Sequence, residues 1–393
     1  MSDTLDDRDW SCWRSQWKIR PGTTYLNHGS FGPPPEPVRA ARALWQARLD
    51  EQPMDFFVRE YEPAWHAARE SLAQFVQCDP ADLVFVENAT AGMNVVASSF
   101  RLQPNDEVLL TDHEYGAVLR IWQRACEEAG ATAPKIVALP STLSDVQEVV
   151  DAIVQAITLR TRLLVVSHIT SPTAVILPVD EIMRAAQQRG VAVCIDGPHA
   201  LLQTEVDLGR LRPDFYTASC HKWLCAPLGS GFLYVDPRHQ ATIRPPQLSW
   251  GRVFPEDKTA WSDEFVWSGT RDSSAYLTVP AAIDFFAPLG QLAFQRGTHR
   301  LAQYARRHLV ELTRLEPIIP DDPAWYGSMA HVPLSPGDRR KLQDALWHEH
   351  GIETPIVEWN GRRFIRVSCH LYNTHEQIDR LVRALHGLLL RGC

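Results

Sequence analysis

From residue 83 to residue 235 the chain alternates short apolar runs with amphipathic segments, and this rhythm limits its fold more than any other feature. The apolar runs are 83–86, 107–111, 135–139, 162–169, 191–196, 215–219 and 231–235. Between them, 90–100, 116–129, 144–158 and 179–189 carry apolar residues at helical spacing. Strands that read as unbroken apolar runs are buried on both faces, with the intervening helices as cover. The expected fold is therefore α/β with a mostly parallel central sheet. Ligands of such sheets sit beyond the carboxyl ends of the strands.

The flanks read differently. Residues 1–22 form an arm with a short amphipathic piece around Trp10, Trp13 and Trp17. An extended loop at 25–32 and a proline cluster follow, then helices over 36–76 broken at Gln52-Pro53. Past 236 a loop rich in tryptophan and proline (244–267) leads to a helical region, 275–315, and a last stretch, 325–391, mixes strands with helices. The expected organisation is an arm, 1–35, that goes with the small domain, a large ligand-binding domain, 36–272, and a small C-terminal α+β domain, 273–393.

A net charge of -8 argues against nucleic acid or an anionic membrane as partner. The acidic start is not a secretory signal, and no apolar run reaches bilayer length. Eight scattered cysteines form no CxxC pair, and no metal-ligand set stands out, which suits a reducing cytoplasm.

Three strand ends carry chemistry. Ser219-Cys220-His221-Lys222-Trp223 puts a lysine where desolvation favours the neutral amine, the form that makes a Schiff base with an aldehyde. Asp196 ends the run Val-Ala-Val-Cys-Ile and suits a protonated pyridine nitrogen. Asn88-Ala89-Thr90 opens a helix, whose amides form a phosphate cradle. Each has an ordinary counterpart: a surface lysine, a capping aspartate, a plain N-cap. Their order and spacing together are far more specific.

The stretches YLNHGSFG (25–32), ENATAGMN (87–94), DHEYGAV (112–118), SHITSPTAVILPVD (167–180), DGPHALL (196–202), SCHKWL (219–224), GTRD (269–272) and RVSCHLYNTHEQIDRL (366–381) carry a family likeness. The chain resembles fold-type I pyridoxal 5'-phosphate enzymes of the class V aminotransferase group, and within it the isopenicillin N epimerase-like proteins. The resemblance implies a Schiff base at Lys222, which then serves as the base at Cα, and a pyridinium partner at Asp196. It implies a donor to the phenolic oxygen at His199 and ring stacking by Tyr115. Ala89, Thr90, Ser219 and His221 would hold the phosphate, with Thr170 and Ser171 near the cofactor. Thr270 would reach the phosphate of a second subunit, implying a homodimer with composite sites. Arg366 would clamp the substrate carboxylate, and Asn27 and His28 would face the substrate.

A cysteine desulfurase needs a nucleophilic cysteine on a loop between that lysine and that arginine. No cysteine lies between Cys225 and Arg366. The expectation is a cytoplasmic enzyme of the isopenicillin N epimerase-like type, acting at the Cα of an amino-acid-like substrate, with a direct C–S lyase as alternative. A transaminase would share the same core, and a non-catalytic scaffold would not need the complete Lys222, Asp196 and Arg366 set.

Overall fold

The computed structural model describes residues 10–251 and 260–392. The acidic start and the middle of the tryptophan-rich loop, 252–259, lie outside the described residues. A first short strand, β1 (Thr24–Tyr25), is followed by β2 (Leu83–Val86), β3 (Glu107–Thr111), β4 (Lys135–Val137) and β5 (Thr161–Ser167). Then come β6 (Ala192–Asp196), β7 (Phe215–Ser219) and β8 (Gly231–Val235). β2 to β8 build one seven-stranded sheet in the order β2-β8-β7-β6-β5-β3-β4. Only β8 runs against its neighbours, pairing antiparallel with both β2 and β7.

The apolar runs became strands because they are covered on both sides. All of β2, β3, β7 and β8 is buried, and separate apolar clusters form on the two faces of the sheet. The helix 89–99 lies close on the sheet because Gly92 leaves room for Thr217. A Cβ there would come within 2.1 Å of the Thr217 hydroxyl oxygen. The helix 116–129 stops at Gly130, whose φ of 64° suits the left-handed C-terminal turn.

A second, three-stranded antiparallel sheet comes from β9 (Met329–Leu334), β11 (Ile356–Trp359) and β12 (Arg362–Ser368), with β12 in the middle. β1 pairs in parallel with β10 (Ile352–Glu353), and Asn27 bridges to Ser368. The N-terminal segment is thus sewn to the C-terminal third of the chain. Its tryptophans anchor it: Trp10 is buried against Gly297, and the Trp17 indole donates to the Pro33 carbonyl at 2.8 Å. The helical region after 274 is not one helix but three, 274–277, 279–286 and 291–313, with Pro280 at the start of the second. Among the described residues no single helix is long and apolar enough to cross a membrane.

Candidate active site

A cavity of about 480 Å³ opens at the carboxyl ends of β2, β6 and β7. Its lining joins three distant stretches: Gly29 to Phe31 from the N-terminal loop, the strand ends of the large sheet, and Arg366 from β12. Of the site residues expected from sequence, Ala89, Thr90, Tyr115, Asp196, His199, Ser219, His221, Lys222 and Arg366 line it together.

Lys222 lies three residues beyond the end of β7. Burial and the Arg366 charge lower its pKa to about 8, so about a tenth of the amine is neutral at pH 7 and about half at pH 8. Its Nζ is 3.2 Å from His199 Nε2. The Trp223 indole can only donate, and it does so to His199 Nδ1 at 3.3 Å. That donation leaves the His199 proton on Nε2, facing Lys222. Burial first, then the charges of Lys222 and Arg366, push the His199 pKa well below the ordinary imidazole range. His199 is therefore a neutral Nε2–H donor.

Asp196, the last residue of β6, is buried. Burial and the neighbouring Glu114 charge raise its carboxyl to about 7, with Lys222 acting in the opposite direction. At the start of the helix 89–99 the Ala89 amide donates to Ser219 Oγ at 3.0 Å, and the Asn88 side chain accepts from the Ala91 amide at 2.9 Å. The first bond ties the helix start to the end of β7, and the second caps the helix. The His221 Nδ1–H donates to the Ser230 carbonyl at 3.2 Å.

Arg366 is buried, and burial lowers its guanidinium to about 10. One terminal nitrogen donates to the Ser171 carbonyl and the other to Ser30 Oγ at 3.3 Å. Among the described residues its Nε has no partner, and no carboxylate pairs with the group. A buried guanidinium without a counter-ion is a site for an anion.

Four expected site residues fall outside the lining. Asn27 is buried and donates to Glu353 Oε1 at 3.2 Å while accepting from Ser30 Oγ at 2.6 Å. It orients Ser30, which touches Arg366, and does not itself face this cavity. His28 is fully enclosed, with Nε2 on the Lys222 carbonyl at 3.1 Å and Nδ1 on the Tyr372 hydroxyl at 2.8 Å. It braces the backbone of Lys222. Thr170 is buried and shapes the 170–175 turn by accepting from the Val175 amide at 2.8 Å, while its neighbour Ser171 does reach the lining. Thr270 is exposed and apart from the lining.

His28, Cys225 and His370 bring three potential ligand atoms within 4.8 Å of one another. The two imidazoles stack at 3.9 Å and 15°, and both nitrogens of His28 are already engaged, by the Tyr372 hydroxyl and the Lys222 carbonyl. This group is scaffolding behind Lys222. Sequence reasoning gave no role to Trp223, Ser30 or Glu114. The first adjoins Lys222 and the last precedes Tyr115, but their partners, His199 and Ser167, are fixed only by the fold.

A family model described as aminotransferase class V matches residues 55–381. An isopenicillin N epimerase of Streptomyces clavuligerus is 37% identical, over 97% of this chain and 98% of its own length. A protein of Oryza sativa subsp. japonica named as L-cysteine desulfhydrase 1 is 29% identical, over 94% of this chain and 84% of its own. Among solved structures, a mutant of the cystine C–S lyase C-DES, with glycine covalently linked to its pyridoxal phosphate cofactor, superposes with a TM-score of 0.85. That match covers 98% of this chain and 99% of the other at 22% identity.

Proposed function

The chain belongs to the class V aminotransferase family, whose cofactor is pyridoxal 5'-phosphate, and from that premise we propose that it is an epimerase acting at the Cα of an amino-acid-like substrate. The observation that carries this reading is the 37% identity to an isopenicillin N epimerase across nearly the full length of both chains. The missing cysteine between Cys225 and Arg366 supports it, since a persulfide route has no thiol there.

The site residues fit the cofactor. A lysine lowered to about 8 suits its aldehyde, a buried carboxylate its ring nitrogen, and a helix start its phosphate. When bound, pyridoxal phosphate supplies the electron sink for a bond broken at Cα. Lys222 would take the Cα proton, and His199 Nε2–H would donate to the phenolic oxygen. Asp196 would hold the proton on the ring nitrogen, while Ala89, Thr90, Ser219 and His221 would hold the phosphate. Arg366 receives the substrate carboxylate, which supplies its missing counter-ion. Epimerisation needs a second acid. His199 is already tied to Lys222, so we assign this role to Tyr115, the phenol of the lining.

The exposed rim residues Phe31 and Tyr115 and the exposed Thr270 fit a homodimer in which Thr270 reaches the neighbouring phosphate. The negative charge fits a protein of the cytoplasm that binds neither nucleic acid nor membrane. A direct C–S lyase is the second reading, favoured by the desulfhydrase relative.

Proton NMR in deuterated water, with a panel of amino acids and cysteine conjugates, separates the readings. Deuterium entering Cα of an otherwise intact substrate is the expected result. Pyruvate and ammonia would establish the lyase instead, and a keto acid made only with an amino acceptor would establish a transaminase. A further expectation follows from Lys222. Reconstitution of the apoprotein with pyridoxal phosphate needs the neutral amine, so its rate should rise about tenfold per pH unit below 8 and level off above. Stopped-flow absorbance at several pH values reads this directly, and a rate flat from pH 6 to 9 contradicts it.

A further inference from the structure

Glu114 is a buried carboxylate close to the cavity but not part of its lining. It accepts from the Thr111 hydroxyl at 2.7 Å and from the amide and hydroxyl of Ser167 at 3.1 and 2.6 Å. Three donors converging on one carboxylate favour its ionised form. Ser167 pairs with Asp196 across the parallel β5/β6 ladder. Paired residues of neighbouring strands send their side chains to the same face, about 5 Å apart. The Glu114 carboxylate, bonded to Ser167, therefore sits beside Asp196.

We propose that Glu114 is a positioning residue for the cofactor, whose negative charge beside Asp196 helps to hold the proton on the ring nitrogen. This rests on the reading of Asp196 as the ring-nitrogen partner. Without the Glu114 charge, Asp196 is a weaker base and the ring nitrogen loses its proton more easily. The Glu114 charge is the largest influence on Asp196 after burial, and Lys222 opposes it. Tyr216 and Cys194 beside the pair are pushed up and stay neutral, and burial lowers His168, bonded to Tyr216, to about 4, so it is neutral as well. Burial raises Glu114 itself to about 7 against its hydrogen bonds, so it carries its charge at pH 8.

A purely structural role is the competing account, because Glu114 also ties the loop bearing Tyr115 to β5. Glu114→Gln separates the two. An amide keeps the shape, accepts from the Ser167 amide and donates to its hydroxyl, but removes the charge. The probes are pyridoxal phosphate and its 1-deaza analogue, in which the ring nitrogen is a carbon. Dissociation constants for both are measured at pH 8 in the wild type, Glu114→Gln and Asp196→Asn. The expected result is that Glu114→Gln weakens pyridoxal phosphate about tenfold, one pKa unit of ring-nitrogen acidity, and leaves the deaza analogue within about twofold. Equal weakening of both probes, or of neither, overturns the inference. If Asp196→Asn also fails to discriminate between the probes, the premise about Asp196 falls. If only Asp196→Asn discriminates, the Glu114 role alone falls. Glu114→Asp, which keeps the charge on a shorter tether, should retain the wild-type preference for the nitrogen-bearing probe, and losing that preference would also overturn the inference.

Discussion

Turnover should fall by at least about 10⁴-fold when Lys222 is replaced by alanine, with the protein still folded. A positioned general base contributes up to about 10⁴ on its own, and Lys222 also supplies the covalent anchor. No neighbour takes over. His199 presents Nε2–H toward Lys222, and its lone-pair nitrogen is occupied by Trp223. His221 gives its Nδ1–H to Ser230. Stability should move the other way. The folded-state pKa of Lys222, about 8, lies below the ordinary lysine value near ~10.4. A lysine depressed in this way destabilises the folded apoprotein below pH 8, and the penalty fades as pH rises toward the unfolded value. At pH 7 the Lys222→Ala apoprotein should therefore melt at or above the wild-type temperature. Deuterium incorporation at Cα measures the first effect and calorimetry the second. Measurable wild-type exchange in the variant would remove Lys222 from its assigned role.

Asp196→Asn is expected to lower kcat by about 10²–10³-fold, the range for losing one preorganised electrostatic group in an enclosed site. KM should change little, because Arg366 and not Asp196 receives the substrate carboxylate. The asparagine keeps the shape at the end of β6 and its neighbours Ser167 and Thr217. What it loses is the ability to balance a proton on the ring nitrogen. Burial is the main reason that the Asp196 carboxyl sits near 7, so the uncharged amide should fold without strain. Steady-state kinetics on the substrate found by NMR decides this. A rise in KM at unchanged kcat would mean that Asp196 binds substrate instead.

Much of this site was legible from sequence because it hangs on strand ends. Once the apolar runs mark β2, β6 and β7, the residues just after them must crowd one edge of the sheet, and Asn88, Asp196 and Lys222 did so. The fold-type I likeness rested on the same stretches and extended to Arg366, more than a hundred residues later in the chain. Asn27 and His28 were read less well. Their loop does reach the site, but it folds into a turn over 28–30 that divides its residues between two sides. Gly29, Ser30 and Phe31 face the cavity, while Asn27 and His28 turn back to Glu353 and to the Lys222 carbonyl. A pattern of residue types carries no record of which way such a loop turns. Thr170 misled for a similar reason: its hydroxyl closes a turn, and the neighbouring Ser171 lines the cavity.

By itself the sequence determined the alternation that builds the sheet, the residues that end its strands, and the chemical types at those ends. These follow from local periodicity and from which side chains tolerate burial. Tertiary structure alone decided the rest. It set Trp223 on His199 and so chose the proton-bearing nitrogen. It left Arg366 buried without a carboxylate among the described residues and laid Glu114 beside Asp196 through Ser167. Each depends on contacts between segments far apart in the chain, and a hydrogen bond or a buried charge takes its meaning from the partner that packing brings to it.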